Sequence, residues 1–195
     1  MAQFFKAEEA IISRLKNELA EHLTYHSYFH TLDVLNAATQ IAATENITPE
    51  ELSLLRVAAA YHDAGFLEVY KGHEMKSCEY ARRDLPAFDF TEDQIELVCG
   101  IIMATKIPQS PTTKLQEIIA DADLDYLGRS DYTHIAAKLF AELKVQNILK
   151  EESEWIKLQE SFIQSHHYFT DFSKTNRDPV KKAHLTAIIE KSQAL

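Results

Sequence analysis

Cysteine is almost missing from this chain: Cys78 and Cys99 are the only two in 195 residues. Two thiols make no disulfide framework and no CxxC pair, which argues against a stapled scaffold or a thiolate metal site. They read instead as free buried thiols in a reducing cytoplasm. Glycine and proline are scarce too, at four and five residues, too few for a turn-dense all-β protein. Positive charge is in deficit: 20 Lys and Arg against 30 Asp and Glu leave a net charge of −10. Binders of polymeric nucleic acid or of anionic membranes rely on a basic surface, so neither partner is expected. No apolar run approaches the roughly 18 residues of a membrane span. Glu8, Glu9, Arg14 and Lys16 interrupt the N-terminal apolar positions that a signal peptide would keep unbroken. What the chain has in quantity is histidine, nine residues, so any metal here is held by nitrogen and oxygen.

Helical periodicity runs through the whole sequence. Phe4, Phe5, Ile11, Ile12, Leu15, Leu19 and Leu23 recur in steps of three and four and predict a helix over 3–23. Leu32, Leu35, Ala38, Ile41 and Ala42 predict another over 30–44. Thr48-Pro49-Glu50-Glu51 supplies a cap hydroxyl, a first-turn proline and acids at the positive end of the dipole. The helix it opens, Leu52 to His62, is apolar on nearly every face after Arg56 and is expected to be central, with Gly65 stopping it. Further helices are expected over 73–84, 91–104, 113–127, 131–148, 151–168 and 178–192, with a capped start at Thr91 and Gln94. Ile107 to Pro111 reads as a loop, and polar Asp171 to Asp178 as a mobile connection. The expectation is all-α, one domain over 1–195 with eight or nine helices.

Three segments place metal-ligand residue types on or beside apolar helix. In Tyr25-His26-Ser27-Tyr28-Phe29-His30, the two histidines are four apart and share a face if the turn is helical. His62-Asp63 ends the apolar helix, where a carboxylate needs a partner and the helix C-terminus favours a cation. Asp121-Ala122-Asp123-Leu124-Asp125 alternates acids along an apolar helix. Asp121 and Asp123 point about 200° apart, so one of them is expected to face the core. Asp123 shares its face with Ile119, Ala120 and Leu127, whereas Asp121 also sides with Lys114, Glu117 and Asp125. Asp123 is therefore favoured, with Asp121 the alternative. Each segment alone has an ordinary explanation as a solvated histidine, a chance pair or a surface acid; the ordered set carries the argument. Two imidazoles and two carboxylates suit a borderline divalent ion.

The ordered set His30, His62-Asp63 and an aspartate preceded by alanine resembles the HD-domain metal-dependent phosphohydrolases, whose hallmark is H…HD…D on an all-α fold. Asp121-Ala122-Asp123-Leu124 is similar to the DADL segment of one predicted branch of that superfamily. The resemblance spans residues 22–130 as a metal-site core, with 131–195 expected to complete the domain. It implies one divalent ion (manganese, iron, nickel, zinc or magnesium) held by His30, His62, Asp63 and Asp123. It also implies hydrolysis of a phosphomonoester or phosphodiester, a nucleotide or cyclic nucleotide among the candidates, by metal-activated water.

Tyr25-His26 before His30 further resembles the cyclic-nucleotide phosphodiesterases, in which a histidine four residues before the first ligand is the general acid; His26 would take that role. Two-metal members carry further histidines after the HD pair. Here His73 follows, but Met103-Ala104-Thr105-Lys106 stands where later ones belong, which favours a single ion. His73 and Glu74 become candidates for a supporting partner or a water-orienting base, and Lys106, or less favourably Arg129, for meeting phosphate. His166-His167 diverge by about 100° on a helix and read as helix-end histidines. The rival reading is a non-catalytic metal- or nucleotide-binding HD module that senses a ligand or docks a partner.

Overall fold

Two threonines set the starts of two core helices in the computed structural model, which describes residues 2–193. Thr48 and Thr91 each accept a bond from the third helical amide while Glu51 and Gln94 return one to the cap amide. They open α3 (Pro49–Tyr61) and α5 (Glu92–Met103). These join α1 (Phe4–Glu18), α2 (Tyr28–Ala42), α4 (His73–Asp84) and α6 (Lys114–Asp123) in one of two compact units, formed by Met1–Glu21 and His26–Asp123. Every regular element among the described residues is helical. Leu54, Leu55 and Val57 to Tyr61 are all buried, because α3 packs against α1, α2 and α5 and has no polar side to show. Arg56, the half-buried polar residue within that run, pairs with buried Glu8 at 2.5 Å.

Two expectations need correction here. The first helix ends at Glu18, since Leu19 turns extended and His22–Tyr25 leaves this unit for the other, taking Leu23 with it. Gly65 does not cap α3, which stops at Tyr61. It lies in a short 3-10 turn over Ala64–Leu67, and a side chain there would overlap the backbone carbonyl of His73. Its smallness permits close approach of α4 rather than a left-handed turn.

The second unit comprises His22–Tyr25 and Leu124–Leu195. A 3-10 turn at Asp125–Gly128 leads to α7 (Tyr132–Val145), α8 (Glu152–Ser165), α9 (Asp171–Asn176) and α10 (Asp178–Gln193). Tyr25, Tyr126, Tyr132, Ile156, Ile163 and Ile188 meet in its core. The buried Glu142 accepts from the Tyr25 amide at 2.9 Å. Asp171–Asn176, expected as a mobile connection, is the helix α9. Thr170 caps it by accepting from the Ser173 amide, and Arg177 just beyond donates to buried Asp125 at 2.6 Å. Local composition signalled a loop because the forces ordering it come from a residue some fifty positions upstream.

α8 stops at Ser165, and His166 is extended. The buried Lys181 ammonium donates to the His166 carbonyl at 2.7 Å, stands 3.2 Å from its Nδ1, and pairs with Asp178 at 3.0 Å. An ammonium only donates, so Nδ1 keeps its lone pair. Burial, then the Lys181 charge, hold the His166 pKa down to about 3. The unfolded chain therefore takes up a proton near pH 6.5 that the folded one refuses. Stability from this group is present above pH 6.5 and lost as pH falls toward 3. His166→Asn, which keeps an acceptor near the Nδ1 position, is expected to recover up to about 2 kcal/mol of that loss at pH 5. Urea unfolding of both proteins between pH 4.5 and 7.5 measures it; parallel pH profiles would contradict the assignment.

Candidate metal centre

His30 lies on α2, His62 caps the end of α3, Asp63 follows it, and Asp123 is the last residue of α6. Packing of α2 on α3 and on α6 brings these three chain regions together. His30 Nε2 stands 3.1 Å from Asp123 Oδ1 and 3.6 Å from Asp63 Oδ2. His62 Nε2 stands 3.3 Å from the same Asp63 oxygen and 3.5 Å from Asp123 Oδ1. His30, His62 and Asp123 each offer one ligand atom, all within 4.8 Å of one another; Asp63 joins them through the two imidazoles. His62 is fully buried and Asp63 is 5% exposed.

The donor set suits a divalent cation. Ligands bound at about 2.0–2.2 Å around one ion stand about 3.0–3.5 Å apart, close to the separations found here. His62 Nδ1 donates to the Ala59 carbonyl at 2.8 Å, which turns Nε2 toward the carboxylates. That Nε2 and Asp63 Oδ2 are buried with no hydrogen-bond partner, a costly arrangement that a cation relieves. The electrostatics ask for positive charge at the same point. Burial alone would raise the Asp63 and Asp123 pKa values. His62 beside Asp63, and the His30 and His62 imidazoles beside Asp123, instead hold both well below the carboxylate range. Burial would likewise lower His62, but Asp63 and then Asp123 raise it well above the ordinary histidine value.

A model of the HD domain family matches residues 28–125, half of the chain. The chain belongs to the HD domain family. No curated protein and no solved structure matches it. In this HD domain the supporting contacts are local. Ser77, fully buried on α4, donates to the His62 carbonyl at 2.7 Å and accepts from the Gly65 amide at 2.8 Å, tying the end of α3 to α4. His73 opens α4 after Gly72 at φ 75, and its Nε2 stands 3.6 Å from Asp63 Oδ1 and 3.7 Å from buried Glu74. His26 lies before α2 begins, so helical spacing does not explain its place beside His30. The ring centroids are 6.1 Å apart because the chain bends into α2 at Ser27.

Other candidates fall outside the cluster. Asp121, expected to face outward if Asp123 faces in, is completely buried, while the Asp123 side chain is 14% exposed. α6 is covered on both sides by its own Ile118, Ile119, Ala120 and Ala122 packing, so alternation did not separate core from surface. Lys106 is exposed beyond α5 and forms no ion pair among the described residues. Arg129 is engaged by Asp131, at 2.8 Å, and by Asp125. Cys78 and Cys99 are buried free thiols. Ser77, Phe66 and Tyr70 were missed by sequence reasoning; only Ser77 left a signal, one helical turn after His73 on the same face.

Protein purified without a histidine tag is expected to carry a divalent ion. Saturation at a hundred times the dissociation constant would add about 2.7 kcal/mol of stability. Asp123→Asn should lose the ion and that increment, while Asp121→Asn keeps the ion. Elemental analysis and thermal melts of the three proteins, with and without chelator, distinguish them; retention by Asp123→Asn would remove that residue from the site.

Proposed function

We propose that this HD domain is a metal-dependent phosphohydrolase that cleaves a small phosphomonoester or phosphodiester, with nucleotides and cyclic nucleotides the leading class. The observation that carries the reading is the convergence of His30, His62 and Asp123, with Asp63 beside both imidazoles and unpartnered buried atoms among them, in a chain of the HD family. His30, His62, Asp63 and Asp123 would hold the ion. When bound, a divalent ion supplies Lewis acidity, drawing charge from a phosphoryl oxygen and making water easier to deprotonate.

The chain's own groups supply the rest. His26, its ring next to His30, would give a proton to the departing oxygen, a task suited to an imidazole near neutral pH. His73, beside Asp63, and Glu74, beside His73, would orient the attacking water and accept its proton. Lys106, on the loop after α5, would offset charge gathering on phosphate. A protein of net charge −10 gains no long-range attraction for such a substrate, so binding would depend on the ion and these few groups. The two buried free thiols fit a cytoplasmic setting. Among the described residues no helix is long and apolar enough to cross a membrane.

A panel of phosphoesters with added manganese tests the reading. Asp63→Asn is expected to lose more than about 100-fold in turnover. His26→Gln should lose about 10²- to 10⁴-fold on an alkyl ester and far less on a p-nitrophenyl ester, whose leaving group needs no proton. Turnover unchanged by Asp63→Asn would refute the assignment. Metal binding without turnover on any ester would make the chain a sensing or docking module instead.

A further inference from the structure

The ring of Phe66 stacks with two histidines. Its centroid lies 4.1 Å from that of His26 at an interplanar angle of 24°, and 4.1 Å from that of His73 at 22°. The two imidazole centroids are 6.0 Å apart with their planes inclined at 46°. Both imidazole rings therefore stack within van der Waals reach of one phenyl ring. Phe66 is itself 7% exposed. Tyr70 meets its edge at 5.3 Å and that of His26 at 6.0 Å, and the Tyr70 carbonyl accepts from His73 Nδ1 at 3.3 Å.

The chain builds this stack next to the ligand candidates. Phe66 sits in the 3-10 turn that directly follows His62-Asp63, and Gly65 lets the His73 backbone come against that turn. A histidine ring turns broadly about its last torsion; a flat partner restricts it where an aliphatic one of like bulk does not. We propose that Phe66 is a positioning residue, fixing the ring planes of His26 and His73 so that one faces the leaving group and the other faces Asp63. The catalytic consequence rests on the phosphohydrolase reading; the geometric one does not.

Phe66→Leu keeps apolar bulk and removes the flat face, while Phe66→Tyr keeps the face. The imidazole CH resonances of the full chain with added zinc, assigned through His26→Gln and His73→Gln, report the stack directly. Protons over a phenyl face are shifted upfield. In Phe66→Leu both sets are expected to move downfield together, and in Phe66→Tyr to return, with zinc content and melting temperature retained. On an ester the wild type hydrolyses, Phe66→Leu should lose about 10- to 100-fold in kcat at unchanged KM, and Phe66→Tyr should recover most of it. Histidine resonances unmoved in Phe66→Leu would overturn the proposal. So would an unchanged kcat, or a rate lost only together with zinc. If the wild type hydrolyses no phosphoester, the functional reading fails and the resonances alone decide the role of Phe66.

Discussion

Two imidazole nitrogens each stand 3.1–3.6 Å from two carboxylate oxygens inside helical packing, where hydrophobic collapse alone would not leave them. Ions in such surroundings cost several kcal/mol each unless opposite charge compensates them. The rest of the first unit is arranged to hold that cluster. α3 is apolar on all sides after Arg56, and its run of Ala58, Ala59 and Ala60 occupies little space between neighbours. The Ala59 carbonyl orients His62 from within the same helix. Ser77 closes the turn after Asp63 from α4.

The cluster also joins parts of the chain far apart in sequence. His30 and Asp123 are 93 residues apart and within 3.1 Å. They meet because α2 and α6 both pack in the first unit. The charge balance therefore depends on tertiary contacts, and the unfolded chain contains no preformed version of it. A binding event at this point and the cohesion of α2, α3 and α6 are the same interaction viewed from two sides. The acidic surface does not oppose it, because the attraction is local and buried.

Much of this was legible where local chemistry decides structure. The helix over 73–84 appears as His73–Asp84, and the Thr48 and Thr91 caps act as their spacing suggests. Among the ligand types in the order histidine, histidine-aspartate, aspartate, the fold brings His30, His62 and Asp123 together. Failures arose where a distant partner decides. Leu23 matched the stripe of α1 but belongs to the other unit. Asp171–Asn176 looked like polar loop, yet Thr170 caps it and Arg177 is held by Asp125. Asp121 and Asp123 could not be separated by facing, since α6 is enclosed on both sides. Phe66 resembled any core aromatic, because its stacking on His26 and His73 leaves no periodic trace.

X-ray absorption at the metal edge, recorded on protein purified without an affinity tag, examines the cluster most directly. The account predicts a first shell of nitrogen and oxygen at about 2.0–2.2 Å, with imidazole scattering behind it and no sulfur at about 2.3 Å. A sulfur shell, or a shell without imidazole, would contradict it.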